Sequence, residues 1–144
     1  MADLQLAYKD ELTGVGNRRF LTELFASRWD ELRREHRTVS VIIADLDSFK
    51  AINDTYGHPT GDQALRATVA LLREHFRDSD IIVRFGGDEF VIVLPGAGAQ
   101  EATALAERAR HAGADNRFVI ESEGKTVEAP IEFSVGVADR KSVV

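Results

Sequence analysis

Apolar residues recur along this chain in two rhythms, one helical and one alternating, and their order predicts the architecture. Phe20, Leu21, Leu24, Phe25 and Leu32 follow helical spacing, with Asn17 ahead of them as the cap. A charged turn over 33–37 follows. Residues 39–44, apolar and rich in β-branched side chains, then predict a buried strand ending in Asp45-Leu46-Asp47. A second helix is predicted to start near Asp62, because Leu65, Val69, Leu72 and Phe76 lie on one face at steps of four, three and four. Two apolar runs, 81–85 and 90–94, flank Gly86-Gly87-Asp88-Glu89. They read as a hairpin whose paired glycines supply the positive φ values of a tight turn. Pro95-Gly96 stops the second strand, and residues 100–112 predict a third helix with Ala102, Leu105, Ala106 and Ala109 inward. Residues 118–120 and 125–127 flank Glu123-Gly124 as a further hairpin. Finally, Ile131, Phe133, Val135 and Val137 alternate with Glu132, Ser134 and Gly136, as a half-buried strand does. The order strand, helix, hairpin, helix, strand predicts an α+β domain with helices packed on a central, largely antiparallel β-sheet.

Composition narrows the class. At 144 residues the chain is expected to be a single domain, and 44% hydrophobic with 29% charged residues is a globular mix. No apolar stretch approaches the ~18 residues of a membrane span, and the opening MADLQLAYK lacks the progression of a signal peptide. With no cysteine, disulfides and thiolate metal sites are excluded and a cytoplasmic location is expected. Eighteen basic against 24 acidic residues give a net charge of −6. That argues against a nucleic-acid polymer as partner, while leaving room for a local basic pocket that holds one phosphate ligand. No repeat or low-complexity tract is present.

The acids carry the first chemistry. Asp45 and Asp47 are two residues apart, so in an extended strand both carboxylates project to one side, and Asp88 and Glu89 add two more at the hairpin tip. If the strands are neighbours, at least three carboxylates converge. Each like-charge pair at ~4 Å would cost about 1 kcal/mol in water and about 4 at an effective dielectric of 20. A hard divalent cation such as Mg²⁺, held by carboxylates and phosphate oxygens, removes that cost. The plain alternative is solvated strand ends and turn formers. Lys50 offers phosphate a point charge. Asn53 and Asp62 together offer donors and acceptors suited to a guanine edge, or else are a turn residue and a helix N-cap after Gly61.

Taken together these residues resemble a known family. The stretch Asp45-Leu46-Asp47-Ser48-Phe49-Lys50-Ala51-Ile52-Asn53-Asp54-Thr55-Tyr56-Gly57-His58, followed by Gly61-Asp62, is similar to the central motif of GGDEF domains, and Arg84-Phe85-Gly86-Gly87-Asp88-Glu89-Phe90 to their signature. Asp10-Glu11-Leu12-Thr13-Gly14 with Asn17-Arg18-Arg19 resembles their opening motif, and Ser134-Val135-Gly136-Val137-Ala138 their last core strand. The likeness runs from about Asp10 to Ala138, so residues 1–9 are read as a lead-in and 139–144 as a tail.

The resemblance implies a nucleotide-cyclase or polymerase-palm-like fold and a diguanylate cyclase that condenses two GTP into cyclic di-GMP, with pyrophosphate leaving. Each copy of a homodimer would hold one GTP. It implies Asp45, Glu89 and the Leu46 carbonyl as ligands of Mg²⁺, or of Mn²⁺ in its place, and Asp88 as a metal ligand or activator of the ribose 3′-hydroxyl. Asn53 and Asp62 would read guanine. Lys50 and the backbone at Ser48 and Phe49 would hold phosphates, and Gly86 and Gly87 would let backbone approach the nucleotide. Arg77-Asp78-Ser79-Asp80 matches the family's RxxD inhibitory site for cyclic di-GMP, with Arg108 as a second arm; the plain alternative is a surface ion pair at a helix end. One departure is the end of the chain. The family continues into a helix bearing a phosphate-holding Lys, whereas here Arg140 and Lys141 stand at non-matching positions, so the expected fold lacks that helix. The alternative function is therefore a binding module for GTP or cyclic di-GMP.

Overall fold

The computed structural model describes residues 7–36, 38–115 and 117–141. Chain order is α1 (Arg18–Glu23), a π-helical turn (Leu24–Arg28), α2 (Trp29–His36), β1 (Thr38–Leu46), α3 (Phe49–Tyr56), α4 (His58–His75), β2 (Ile81–Arg84), β3 (Glu89–Pro95), α5 (Ala99–Asp115), β4 (Arg117–Ser122), β5 (Lys125–Pro130) and β6 (Phe133–Lys141). Four strands form the main sheet in the order β2-β3-β1-β6, every pair antiparallel. The expected α+β architecture is therefore what the chain adopts.

Each face of this sheet has its own core. On one side Ile42, Ala44 and Leu46 of β1 join Phe90, Ile92 and Leu94 of β3, all buried beneath Leu65, Val69 and Leu72 of α4 and Ala102, Ala106 and Ala109 of α5. Alanines at that contact let α5 sit close to the strands. On the other side Leu21, Leu24 and Leu32 cover Val39, Val83, Val91 and Val93. Burying each such side chain contributes roughly 1.5–3 kcal/mol. The second face is covered over β2, β3 and the start of β1, while Ile43 of β1 and Ser134, Gly136 and Ala138 of β6 are exposed.

Several local expectations need correction. Residues 33–36 continue α2 instead of forming a turn. Phe25 is 41% exposed and meets Trp29 edge-on at 5.0 Å, because the π turn shifts the helical phase by a residue. The final strand begins at Phe133; Ile131 precedes it and bonds Gly113 through its N–H at 2.9 Å. The hairpin of β4 and β5 forms a separate two-stranded sheet, closed by Glu123 (φ 52°) and Gly124 (φ 75°), the two positive φ values of a type I′ turn. Gly86 and Gly87 do not have positive φ. The loop they occupy is wider than a two-residue turn: Phe85 N–H bonds the Glu89 carbonyl at 2.8 Å, so 86–88 close without left-handed backbone.

Candidate functional site

Strand register brings the first two acids together. Asp45, the penultimate residue of β1, pairs directly with Glu89, the first residue of β3. Directly opposed residues share a face, with Cβ atoms roughly 4.5–5.5 Å apart. The face is the one turned away from α4 and α5, since the neighbouring Ala44 and Leu46 point into that core. Leu46 N–H then donates to the Asp88 carbonyl at 2.9 Å, which staples the hairpin tip to the end of β1. Asp47 leaves the group: it lies beyond β1, and its Oδ1 accepts from the Ser134 hydroxyl at 2.9 Å. The expected convergence of three carboxylates is accordingly not found, and among the described residues no group of three or more acids or histidines is arranged to hold a metal. A pair is enough for the group in question. Mg²⁺ uses one or two carboxylates and completes its shell with phosphate oxygens and water, so Asp45, Glu89 and the Leu46 carbonyl are a fitting donor set. No described side chain donates a hydrogen bond to Asp45, Asp88 or Glu89.

The chain next turns through Ser48, which adopts left-handed backbone (φ 64°, ψ 13°) and starts α3 without capping it through its side chain. A non-glycine residue at positive φ is uncommon, and here it turns the chain from β1 into α3 three residues after Asp45. The first N–H groups of a helix have no intrahelical partner and suit an anion. Lys50 is exposed in that same first turn. Both plain readings of the next two residues fail. Asn53 lies inside α3, where its carbonyl accepts from Gly57 N–H at 2.8 Å, and Asp62 lies in the second turn of α4, which starts at His58 with Pro59 in its first turn. Packing of α3 on α4 sets Asn53 against Gly61, the residue before Asp62. A Cβ at 61 would overlap Asn53 Oδ1 and lie 2.9 Å from Cγ and 3.3 Å from Phe49 Cε1. Asn53 Oδ1 is buried and has no partner. A buried acceptor left unpaired costs about 1–3 kcal/mol, so this amide departs from ordinary packing.

A second polar corner lies where α4 gives way to β2. Asp80 is buried, its side chain fully so, and accepts from Arg77 N–H at 2.8 Å, from Arg77 Nε at 3.1 and 3.2 Å and from Nη2 at 2.7 Å. Arg77 Nη2 also donates to the Pro95 carbonyl at 3.1 Å. The hydrogen bond to Asp80 holds the Arg77 guanidinium above its ordinary pKa, and the nearby charges of Asp80 and Glu101 add to this against the cost of burial. This is more than an ordinary surface pair. It borders a cavity of about 260 Å³ whose lining includes Arg73, Phe76, Arg77, Asp78 and Asp80, with Val15 and Ile82 at its apolar side. Arg108 is exposed on α5 and does not line that cavity. Arg73 does, from the exposed side of the last turn of α4; Arg77 lies beyond that helix, so no sequence spacing pointed to the pair.

Fold and site together define the class: an α+β domain that brings paired acids, a helix start and a buried amide to one end of an antiparallel sheet. The chain belongs to the GGDEF family, whose "Diguanylate cyclase, GGDEF domain" model matches residues 7–142. It is 38% identical over 133 residues to the probable diguanylate cyclase DgcC of Escherichia coli, covering 92% of this chain and 34% of that protein. It is 46% identical over 101 residues to the diguanylate cyclase DosC of Escherichia coli, covering 70% of this chain and 22% of that one. The chain thus spans about a third or less of these relatives. Among solved structures, the coiled coil and GGDEF domain of DgcB from Caulobacter crescentus in complex with c-di-GMP superposes with a TM-score of 0.85 at 26% identity, over 97% of this chain and 73% of that one. No helix is long and apolar enough to cross a membrane among the described residues.

Proposed function

We propose that this domain is a diguanylate cyclase, joining two GTP into cyclic di-GMP with release of two pyrophosphates. The observation that carries the reading is the facing of Asp45 and Glu89 across β1 and β3, beside the start of α3 and the unpaired Asn53. Asp45, the Leu46 carbonyl and Glu89 hold Mg²⁺, or Mn²⁺, which when bound offsets phosphate charge. Asn53 and Asp62 take the guanine edge, the carboxylate accepting from the base N–H groups. Backbone N–H groups at Ser48 and Phe49, with Lys50, hold the phosphates. Exposed Gly86 and Gly87, around which a Cβ would meet nothing closer than 3.5 Å, leave room for phosphates to approach the backbone. Asp88 accepts the proton of the ribose 3′-hydroxyl as that oxygen attacks the α-phosphate held by a second copy. The work is positioning and electrostatics, with no covalent enzyme intermediate.

Arg77 and Asp80 form the product site. The cavity beside them contributes Arg73, which takes the second-arm role first given to Arg108. A ligand there must compete with the existing Arg77–Asp80 bonds, so binding trades one set of charge-assisted bonds for another.

Incubation of the purified chain with GTP and Mg²⁺ should yield cyclic di-GMP and pyrophosphate. Protein that binds GTP yet releases neither would be a receptor module instead. Calorimetry with cyclic di-GMP should show Arg77→Ala about ten- to a hundredfold weaker than wild type, with Mg²⁺·GTP affinity unchanged. Equal cyclic di-GMP affinities would remove the product site.

A further inference from the structure

Arg84 closes the tip's own loop and ties it to the start of the domain. Its Nε and Nη2 donate to the Gly87 carbonyl at 3.2 and 2.8 Å, inside the tip. Its Nη1 donates to Asp10 Oδ1 at 3.1 Å, across 74 residues of sequence. The two side chains are 20% and 16% exposed. Asp10 is itself fixed, since its Oδ2 accepts from Thr13 N–H at 3.0 Å and from the Thr13 hydroxyl at 2.6 Å. Backbone bonds from Asp10 N–H to the Val15 carbonyl at 2.7 Å and from Gly14 N–H to the Asp10 carbonyl at 2.8 Å lock this turn. Beside it Gly16 bridges to β2 through Gly16 N–H to Ile82 (3.1 Å) and Arg84 N–H to Gly16 (2.8 Å), while Arg18 sits 4.5 Å over the Phe85 ring. Segment 10–18 therefore frames the base of the tip on one side, as β1 does on the other.

The tip needs such a frame. Gly86 and Gly87 are exposed, and glycine loses more backbone freedom on ordering than any other residue. Within the tip only the Glu89 carbonyl is shared, by Phe85 N–H at 2.8 Å and Gly86 N–H at 3.3 Å. We propose that Arg84, held by Asp10, is a positioning residue: it fixes residues 85–89 so that Asp88 and Glu89 meet the nucleotide already in place. The proposal rests on the cyclase reading of those two acids. A lysine at 84 would keep the charge but could not fork to Gly87 and Asp10 at once.

The test compares wild type with Asp10→Asn and Arg84→Lys, and uses Glu107→Gln on the outer face of α5 as the control. Amide hydrogen exchange without nucleotide should accelerate at 85–89 in both variants while α4 and α5 stay protected. Mg²⁺·GTP titration should then show about ten- to a hundredfold weaker binding, as for a misplaced group. A purely structural pair would lower the melting temperature without this selective change. Unchanged exchange at the tip overturns the proposal, and so does faster exchange with unchanged Mg²⁺·GTP affinity. Wild-type protein that binds no Mg²⁺·GTP would overturn the nucleotide reading itself, with the exchange comparison still deciding whether Arg84 holds the tip.

Discussion

Asp80 and Glu89 stand fewer than ten residues apart in sequence, yet the protein treats their charges in opposite ways. Asp80 is buried and satisfied from within by Arg77, through the backbone N–H, Nε and Nη2. Glu89 is set by strand register opposite another acid, Asp45, and no described side chain donates to either. One carboxylate stabilises the fold by completing a turn. The other faces a second acid across the strand pair, with no described side chain to bind either carboxylate. Internal satisfaction thus separates the two: the buried acid builds structure, and the facing pair is the one the proposed cation would use.

The strongest way to break this comparison is Glu89→Gln. Turnover should fall at least about a hundredfold, as when a group stabilising transition-state charge is removed. The fold should not suffer, because no described side chain bonds the Glu89 carboxylate; the melting temperature without ligand should hold. Mg²⁺ with GTP should raise the wild-type melting temperature, by about 2.7 kcal/mol of stability at a hundred times Kd, and raise that of the variant far less. A variant that melts several degrees lower without ligand would show that Glu89 is structural after all.

Asp62 tests whether the adjoining α3–α4 surface belongs with the facing acids. Asp62→Ala should reduce the preference for GTP over ATP by roughly ten- to a hundredfold, the worth of one charged hydrogen bond at ~1.5–3 kcal/mol. Competition binding of the two nucleotides measures it. Unchanged discrimination would leave Asp62 as a helix residue with no part in reading the base.

Much of the core was legible in the sequence, because buried strands and long helices repeat their pattern. β1 and β3 read as strands from their β-branched runs, and Leu65, Val69, Leu72 and Phe76 lie within the α4 core as their spacing predicts. α3 escaped notice. It is only eight residues long, none of them buried, and it begins at a left-handed Ser48 that offers no side-chain cap. α4 starts at His58, four residues before the start predicted near Asp62. Pro59 is tolerated in the first turn, and Gly61 is demanded by the approach of Asn53. At the tip the motif was plain, but the reason for its glycines was not: their φ values are ordinary, and open space is what they supply. Arg84 and Asp10 had no local signal for their contact, since 74 residues separate them and only folding brings them together.

Asp80→Ala approaches the comparison from the buried side. It should remove every bond that Arg77 makes to a carboxylate and destabilise the domain by about 2–3 kcal/mol, below the full penalty for a buried pair because the Arg77 side chain is 39% exposed. At about 2–4 °C per kcal/mol for a domain of this size, the melting temperature should fall by roughly 4–12 °C, read by calorimetry. A shift under a degree would mean that burial of Asp80 carries no weight, and the contrast with Glu89 would collapse.

The smallest effect sharpens the same point with matched chemistry. Arg110 and Glu107 on α5 form an Arg–carboxylate pair at the same i, i+3 spacing and nearly the same length, 2.8 Å against 2.7 Å for Arg77 and Asp80. The two arginines are equally exposed, at 39%, but Glu107 is 44% exposed where the Asp80 side chain is at 0%. The carboxylate's burial is therefore the variable that differs. The hydrogen bond from Arg110 holds Glu107 below its ordinary pKa, helped by the charges of Arg110 and His111. A carboxyl lowered in the folded state stabilises above its unfolded pKa, and that contribution is lost as pH falls through the folded value. Any benefit of this pair is thus fully present at neutral pH and fades only in acid. Solvent and salt screen it there, so Glu107→Gln should melt with wild type at pH 7, and added salt should not separate them. A drop matching that of Asp80→Ala would show that pairing alone, without burial, sets the worth of these bonds.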